Sequence, residues 1–426
     1  ADDVLGLLIL ILIFIVTLVE IFTPYLVYII APGFIENDIK FNLAVELTRI
    51  TFPFLLFVSL SSFFSGILNS NNKFATAAAA PIILNIILIL SLTISYFLNF
   101  NFAKQLSYGV TLAGVLQLLF IFYATLEFYK PSLIFKFKIT TKVKFFFKKL
   151  LPSILSSGVT QINILIGTII ASFESGAVSY LYYADRIYQI NLAIAGIAVS
   201  TVSLPALSNA FKKNNTKKLS NIQNKSFELC LLFSIPASFG LILASEEIIS
   251  SLFGYGSFSK EDVKLTADAL KYFGYGVPAF AIVKILSNFF FARDNTKTPF
   301  YISLTMVLIN IFISVSLFSR LGFIIIPIAT SIATWIGVLI YIYFLNKKNF
   351  LLLNIKLIAS FLKILGSAII MSFILVLSLN NFENYLDFSY KFKAFYLLSI
   401  VGFTGFVYLL SCYLIGVLKI KNYKTK

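Results

Sequence analysis

The sequence predicts an all-α polytopic membrane protein of about 12 transmembrane helices. They form two lobes related by a pseudo-twofold axis, the first of them incomplete, with two extra helices at the C-terminal end. Three observations predict this. Hydrophobic residues make up 59% of the 426 positions and charged residues 12%, with a mean hydropathy of +0.93, and a soluble domain of that size has no means of hiding so much apolar surface. Apolar stretches long enough to cross a bilayer, about 20 residues each, follow one another with only short polar links. The basic residues collect in alternate links, as the positive-inside rule requires of a chain threaded back and forth.

Taken in order, spans near 4–30, 47–68, 77–98 and 108–129 form an N-terminal lobe, residues 1–129. The link between the second and third is "NSNNK" (69–73), too polar for hydrocarbon. A basic stretch, residues 130–149, alternates lysine with apolar side chains and reads as a linker lying on the inner membrane surface. Six spans, near 150–173, 177–204, 226–244, 265–292, 299–318 and 322–345, form the C-terminal lobe, residues 150–345. Spans near 356–379 and 394–417 form an appendage, residues 346–426, with a basic tail. The links at 69–76, 130–149, 206–225, 293–297 and 346–356, with the tail, hold 22 of the 34 Lys and Arg, and the opposite side holds fewer than half as many. The first side is therefore expected to be cytoplasmic, with both ends of this chain on it, and the acidic link 246–263 outside.

A shift of 225 residues lays Ala44 on Ala269, Pro53 on Pro278, Ser62 on Ser287, Phe64 on Phe289, Asn85 on Asn310 and Ile86 on Ile311 without a gap. Six spans is an even number, so the two lobes share one orientation, as parallel repeats do. The spans near 150–173 and 177–204 then have no counterpart, and the repeat predicts that two helices of the first lobe are missing from this sequence.

Histidine is absent, and the two cysteines, Cys230 and Cys412, lie in separate apolar stretches. No disulfide framework, thiolate metal site or cofactor is expected. The net charge of +16 reads as membrane orientation, with no nucleic-acid partner.

The residues that invite a functional reading are charges inside spans. Asp185 and Arg186 are adjacent within "YLYYADRIYQINLAIAGIAVS" (180–200), where each ionised group costs about 2.5–3.5 kcal/mol on insertion scales. Helix neighbours diverge by about 100°, so the two do not face each other. Either the span begins late and Arg186 snorkels to the interface, or both line a hydrated surface. Two turns of helix before the pair, and the short reach of Asp185, favour the hydrated surface. The chain uses four Arg against thirty Lys yet places one of the four here, and only a guanidinium grips an oxyanion through two parallel bonds. Lys284 lies within the eighth span and either faces a cavity or reaches a backbone carbonyl. Lys363 reads as reaching the cytoplasmic interface, and Glu228 and Asp268 as interfacial. Glu20 either binds a coupling cation or lies near the outer surface. Asn85 and Asn310 read as interhelical hydrogen-bonding groups, and Pro53 and Pro278 as kinks. Arg293, Asp294, Thr296 and Thr298 of "ARDNTKTP" read as organising a turn, with gating by Arg293, Asp294 and Thr298 as the functional alternative.

Four segments carry a resemblance: "SGILNSNNKFATAAAAPIILNIILI" (65–89), "YLYYADRIYQINLAIAGIAVSTVSLPALS" (180–208), "LFGYGSF" (252–258) and "FFARDNTKTPF" (290–300). The chain resembles the MviN/MurJ family, bacterial lipid II flippases of the MOP exporter superfamily, across essentially its whole length. The resemblance implies fourteen helices, two six-helix lobes around a central cationic cavity, and a groove for a polyprenyl tail at the two C-terminal helices. The first two family helices, which carry several cavity arginines, are absent here. It implies a non-enzymatic role in the bacterial inner membrane: moving lipid II by alternating access, with membrane lipids and other cell-wall synthesis proteins as further partners. In that frame Arg186, Asp185 and Lys284 are the candidate substrate-binding residues, Arg186 gripping the diphosphate and Asp185 holding or releasing the guanidinium. Glu20, Arg293, Asp294 and Thr298 are the candidate coupling or gating residues. The competing readings are another exporter of the superfamily, carrying a lipid-linked oligosaccharide or an organic cation, and a non-transporting membrane scaffold. A membrane glycosyltransferase or phosphatase would need catalytic carboxylates or histidine beside a sizeable loop, which this sequence lacks.

Overall fold

Backbone groups in hydrocarbon must find partners within the chain, and helices supply them segment by segment. The computed structural model describes residues 2–131, 158 and 161–418, and among these all regular structure is helical. In the first part of the chain lie α1 (Asp2–Ile30), α2 (Asp38–Thr51), α3 (Phe54–Ser70), α4 (Phe74–Leu98) and α5 (Phe102–Thr125). Then come α6 (Gln161–Ala171), α7 (Ala177–Leu192), a π-turn (Ala193–Ala198), α8 (Val199–Lys212), α9 (Thr216–Leu243), α10 (Ser245–Phe253) and α11 (Lys260–Phe291). The chain closes with α12 (Lys297–Leu321), α13 (Ile325–Lys347), α14 (Lys356–Asn381), the short α15 (Glu383–Leu386) and α16 (Lys393–Leu414). Among the described residues, ten stretches are long and apolar enough to cross a membrane, one of them, Lys297–Lys347, containing both α12 and α13. The protein is a multi-pass membrane protein.

Several helices begin earlier than their apolar cores. Asn37, Asn101 and Asn215 each accept a hydrogen bond from the backbone N–H three residues on, and Ser259 with Asp262 forms a capping box. Those caps lie in the polar links, beyond the reach of hydropathy, and they start α2, α5, α9 and α11 five to ten residues ahead of the expected spans. The acidic link 246–263 also contains a helix, α10. The basic linker 130–149 falls outside the described residues from 132 onward.

The chain divides into two compact units, Ala1–Ser157 and Gly158–Lys426. In the first, Leu5, Leu12, Leu60, Phe64, Leu68 and Ile121 form the core. Small residues let backbones close in: a Cβ on Gly114 would stand 2.7 Å from the Phe54 ring. In the second, α11 is the central post. Its most apolar window is 72% buried, against 11% for α4, so α11 is wrapped by protein where α4 presents itself outward. Asn310 of α12 donates to Asn163 Oδ1 of α6 at 2.7 Å and to Thr330 of α13 at 3.3 Å. Its repeat counterpart Asn85 differs: it is exposed on α4, so the interhelical role holds for Asn310 alone.

Prolines are handled in two ways. Pro53 separates α2 from α3, and Phe22, two residues before Pro24, leaves helical geometry inside α1. Pro278, by contrast, sits in an unbroken α11. A helix proline orphans the carbonyl four residues before it. For Pro278 that carbonyl is Gly274, and Ser238 Oγ donates to it at 2.7 Å. For Pro236 it is Leu232, and the Tyr408 hydroxyl donates to it at 2.7 Å. For Pro24 it is Glu20, and Thr23 Oγ1 lies 3.1 Å away. The equivalence of Pro53 and Pro278 in sequence therefore does not carry over to a shared kink: Pro53 lies between two helices, and Pro278 lies inside one.

The link from α13 to α14 is held by a ladder of side chains on α9. Gln223, fully buried, donates to Phe350 O at 2.9 Å and accepts from Leu352 N at 2.8 Å. Ser220 and Asn224 donate to Leu352 O, and Asn354 N donates to Asn224 Oδ1. At the other end, Lys393 is completely buried, and its Nζ donates to Gly254 O at 2.8 Å and Phe388 O at 2.7 Å.

The proline account makes a prediction. Tyr408→Phe leaves Leu232 O orphaned and should destabilise the protein by about 1–2 kcal/mol, read as a lower melting temperature in detergent. In a Pro236→Ala background residue 236 regains its N–H, and the same substitution should lose most of its effect. Equal losses in both backgrounds would show that the hydroxyl does not serve the proline.

Candidate functional site

α7 has two faces. Ala184, Ile187 and Tyr188 are buried, with Tyr188 stacked on Phe273 (5.2 Å, 14°) and 5.0 Å from Phe280, both on α11. At its start the Tyr180 hydroxyl donates to Asp262 at 2.8 Å, pinning α7 to the first turn of α11. The other face carries Ser179, Tyr182, Arg186 and Gln189, all exposed and spaced by three or four residues, so they form one polar stripe. In a helix of spanning length such a stripe belongs against water, since lipid would charge a heavy penalty for the guanidinium.

Within the stripe each charge is paired one turn away. The Arg186 guanidinium carbon lies 4.6 Å from the Tyr182 ring centre, a cation–π contact that fixes its plane. Asp185 accepts a hydrogen bond from Gln189. Asp185 and Arg186 act on each other only through space, as their divergence on the helix requires. The donor edge of Arg186 is left for an anion. Both partners stand four residues from the charges they hold, a signal that the sequence contained and that the charges alone did not disclose.

Directly after this stripe the helix widens into the π-turn Ala193–Ala198. Gly196 lies against α11 there, where an added Cβ would come within 3.2 Å of Ala281 Cα. The extra residue in the turn rotates α8 relative to α7, and Ser200, Ser203 and Asn288 fasten the result: Asn288 donates to Ser200 O at 2.7 Å and to Ser203 Oγ at 3.2 Å.

Lys284 is exposed on α11, and its carbonyl accepts from Ser200 Oγ at 3.4 Å. That contact places it level with Ser200, fourteen residues beyond Arg186, or about 20 Å along the helix at 1.5 Å per residue. The structure does not bring Arg186 and Lys284 to one anion. Glu20, in the first unit, is half-buried in α1; its Oε1 is buried without a hydrogen bond, and Arg49 of α2 acts on it through charge.

Arg293 is a bolt. Its guanidinium lies between Phe350 (4.3 Å) and Phe211 (5.2 Å), and Nη1 donates to Phe289 O at 2.6 Å. Asp294 takes the left-handed conformation that turns the chain (φ 54°). Asn295 Oδ1 accepts from Thr298 N, and Lys348 Nζ donates to Thr298 Oγ1. These contacts tie the end of α11 to α8 and to the segment after α13.

An apolar groove of about 520 Å³ opens between α9, α11, α13 and α14, lined by Leu231, Ile235, Pro278, Trp335, Leu339 and Phe361 among others. Its two polar side chains are already engaged: Ser238 with Gly274 O, and Trp335 Nε1 with Tyr275 O at 3.0 Å. The groove therefore offers hydrocarbon contact and nothing else. Among the described residues, no three metal-ligating side chains converge.

The sequence model of the family described as "Lipid II flippase MurJ" matches residues 1–396. The probable lipid II flippase MurJ of Rickettsia prowazekii (strain Madrid E) is 39% identical over 395 residues, covering 92% of this chain and 77% of that protein. That of Rhizobium tropici is 36% identical, covering 90% and 73%. A solved lipid II flippase MurJ in an inward closed conformation superposes with a TM-score of 0.80 at 28% identity, covering 97% of this chain and 83% of that one. MATE transporters of the MOP superfamily share the fold in inward-facing form (TM-score 0.67, 15% identity, 82% of this chain and 81% of that one) and outward-facing form (0.55, 16%, 82% and 78%). The chain belongs to the lipid II flippase MurJ family.

Proposed function

We propose that this chain moves lipid II from the inner to the outer leaflet of the bacterial cytoplasmic membrane, as a transporter and not an enzyme. Arg186 binds the diphosphate, and the groove between α9, α11, α13 and α14 takes the prenyl tail. The observation that carries the assignment is an exposed guanidinium within a spanning helix, held flat by Tyr182, whose neighbouring carboxylate is engaged with Gln189. A planar guanidinium with a free donor edge suits a diphosphate and repels an organic cation. The lysine-rich links lie on the cytoplasmic side, with both ends of this chain.

The physical task is to carry a polar head through about 30 Å of hydrocarbon while the tail stays in lipid. A hydrated stripe on α7 and a dry groove on the far side of α11 divide the work. Alternating access turns the stripe to each face of the membrane in succession. An inside-negative potential favours outward movement of a net anion by about 2.3 kcal/mol per charge per 100 mV. Because Arg186 neutralises part of that charge, the potential acts most strongly if the arginine does not travel with the substrate.

Lys284, one α-helical bundle level away, serves as a second cationic station nearer the cytoplasmic end, where the head group first enters. Arg293, Asp294 and Thr298 hold the cytoplasmic turn rigid and act on transport only through that rigidity. Glu20 titrates or binds a cation in the first unit.

Two measurements test the assignment. Arg186→Ala should weaken lipid II binding by about tenfold to a hundredfold, the worth of a charge-assisted bidentate contact, and Arg186→Lys should recover only part of it. A lysine variant that binds and transports like the parent would remove the bidentate contact from the account. Leu339→Trp, which narrows the groove, should weaken binding of a long-chain prenyl diphosphate by about tenfold, the loss of a few buried CH₂ groups, and leave a short-chain analogue unaffected. Equal losses for the two would place the tail elsewhere.

A further inference from the structure

Near the middle of α11 the sequence runs "FGYGVP" (273–278). Glycine and proline are the poorest helix formers, and three of these six residues are of those types, yet α11 continues through them without a break. What holds the segment comes from outside it. Ser238 of α9 donates to Gly274 O at 2.7 Å. Two residues one turn apart on α13 complete the set: Ser331 Oγ donates to Tyr272 O at 2.7 Å, and Trp335 Nε1 to Tyr275 O at 3.0 Å. The glycines let those helices come close. A Cβ on Gly276 would stand 2.6 Å from Ser331 Oγ, and one on Gly274 would stand 3.1 Å from Ile242 of α9.

The same segment meets a different neighbour on each flank. On one, Ser238, Pro278 and Trp335 line the apolar groove. Trp335, the one tryptophan of the chain, is 42% exposed, so its ring is open to an occupant. On the other flank, Tyr188 of α7 is stacked on Phe273 at 5.2 Å and lies 5.0 Å from Phe280. Phe273 and Phe280 stand two turns apart with Pro278 between them, so Tyr188 spans the weak segment. A bend there changes the spacing of the two rings and shifts Tyr188, which is two residues from Arg186.

We propose that Trp335 is a positioning residue that makes tight binding of the diphosphate conditional on the tail. The inference rests on the reading in which Arg186 takes the diphosphate and this groove the prenyl tail. A tail packed against the indole confines the ring to the orientation in which its N–H meets Tyr275 O. The hold on α11 then stiffens, Phe273 and Phe280 keep their spacing, and Tyr188 fixes α7 with Arg186 in place. An ordering contact of this kind couples two sites without a large movement of either, and the coupling is reciprocal. Its consequence is specificity. A lipid-linked diphosphate engages both ends, whereas a soluble diphosphate meets an Arg186 that is only loosely held.

Trp335 is its own reporter. Undecaprenol added to the purified protein in lipid nanodiscs should shift the tryptophan emission and raise its anisotropy. In the same preparation it should tighten binding of dimethylallyl diphosphate, a head with almost no tail, by about fivefold or more. Trp335→Phe keeps an aromatic ring in the groove but loses the N–H donor. Tyr188→Leu leaves the groove intact but removes the span across Phe273 and Phe280. In each variant the tightening should fall below about twofold, and Tyr188→Leu should keep the fluorescence response. Silent fluorescence, or diphosphate binding that Arg186→Ala leaves unchanged, would overturn the reading beneath the inference and the inference with it. A fluorescence response without tightening in the parent, or tightening that either variant retains in full, would overturn the inference alone.

Discussion

The arrangement rests on one constraint: within the hydrocarbon, every backbone group that a helix fails to satisfy must find its partner elsewhere in the protein. Leaving such a carbonyl orphaned is expected to cost about 1–2 kcal/mol net, as for Leu232. Ser238, Tyr408 and Thr23 each lie beside the carbonyl that a proline has freed. The first two bonds join separate helices, so they also fix where α9, α11 and α16 sit against one another. Outside the hydrocarbon, burial makes a like demand on the extended link after α13, which Ser220, Gln223 and Asn224 pair much as a strand pairs its neighbour. Lys393 does the equivalent for two loops at the opposite end.

Because α11 is held from several sides, α7 can be positioned against it with only half its circumference. Tyr188 and the Tyr180–Asp262 bond set that packing, and the remaining half is free to be polar. Arg186 stands on that free half. Its chemistry follows from its two neighbours at helical spacing: an aromatic face fixes the guanidinium plane, and a carboxamide occupies the adjacent carboxylate. The groove on the other flank of α11 contributes the opposite chemistry, and the two together match an amphipathic substrate with one polar and one apolar end. The π-turn after the stripe is the place where this helix departs from regular geometry, directly beside Ala281.

Much of this was legible in the sequence. Apolar length marked the helices, and the rarity of arginine singled out Arg186, because a composition rich in lysine had a reason to choose otherwise there. What escaped was set by distance along the chain. The caps Asn37, Asn101, Asn215 and Ser259 extend helices into polar links, where hydropathy carries no signal. Pro53 and Pro278 match in the repeat, yet one lies between two helices and the other inside one, where the freed carbonyl is met by Ser238, forty residues earlier. Asn85 and Asn310 match as well, but only Asn310 meets Asn163 across helices. A groove-lining leucine such as Leu231 cannot be told by composition from one facing lipid, so no local pattern disclosed the groove between α9, α11, α13 and α14. Lys284 illustrates the converse: its type and span suggested partnership with Arg186, and helix register separates them by about 20 Å.

The central claim is that residue 186 faces water within a membrane-spanning helix and meets the substrate there. Arg186→Cys tests it most directly, since the native Cys230 and Cys412 are fully buried and contribute little background. A membrane-impermeant thiol reagent applied to oriented vesicles should label position 186, and lipid II should protect it, while undecaprenol, lacking the diphosphate, should not. Absence of labelling from both sides, or labelling that lipid II leaves unchanged, would contradict the claim.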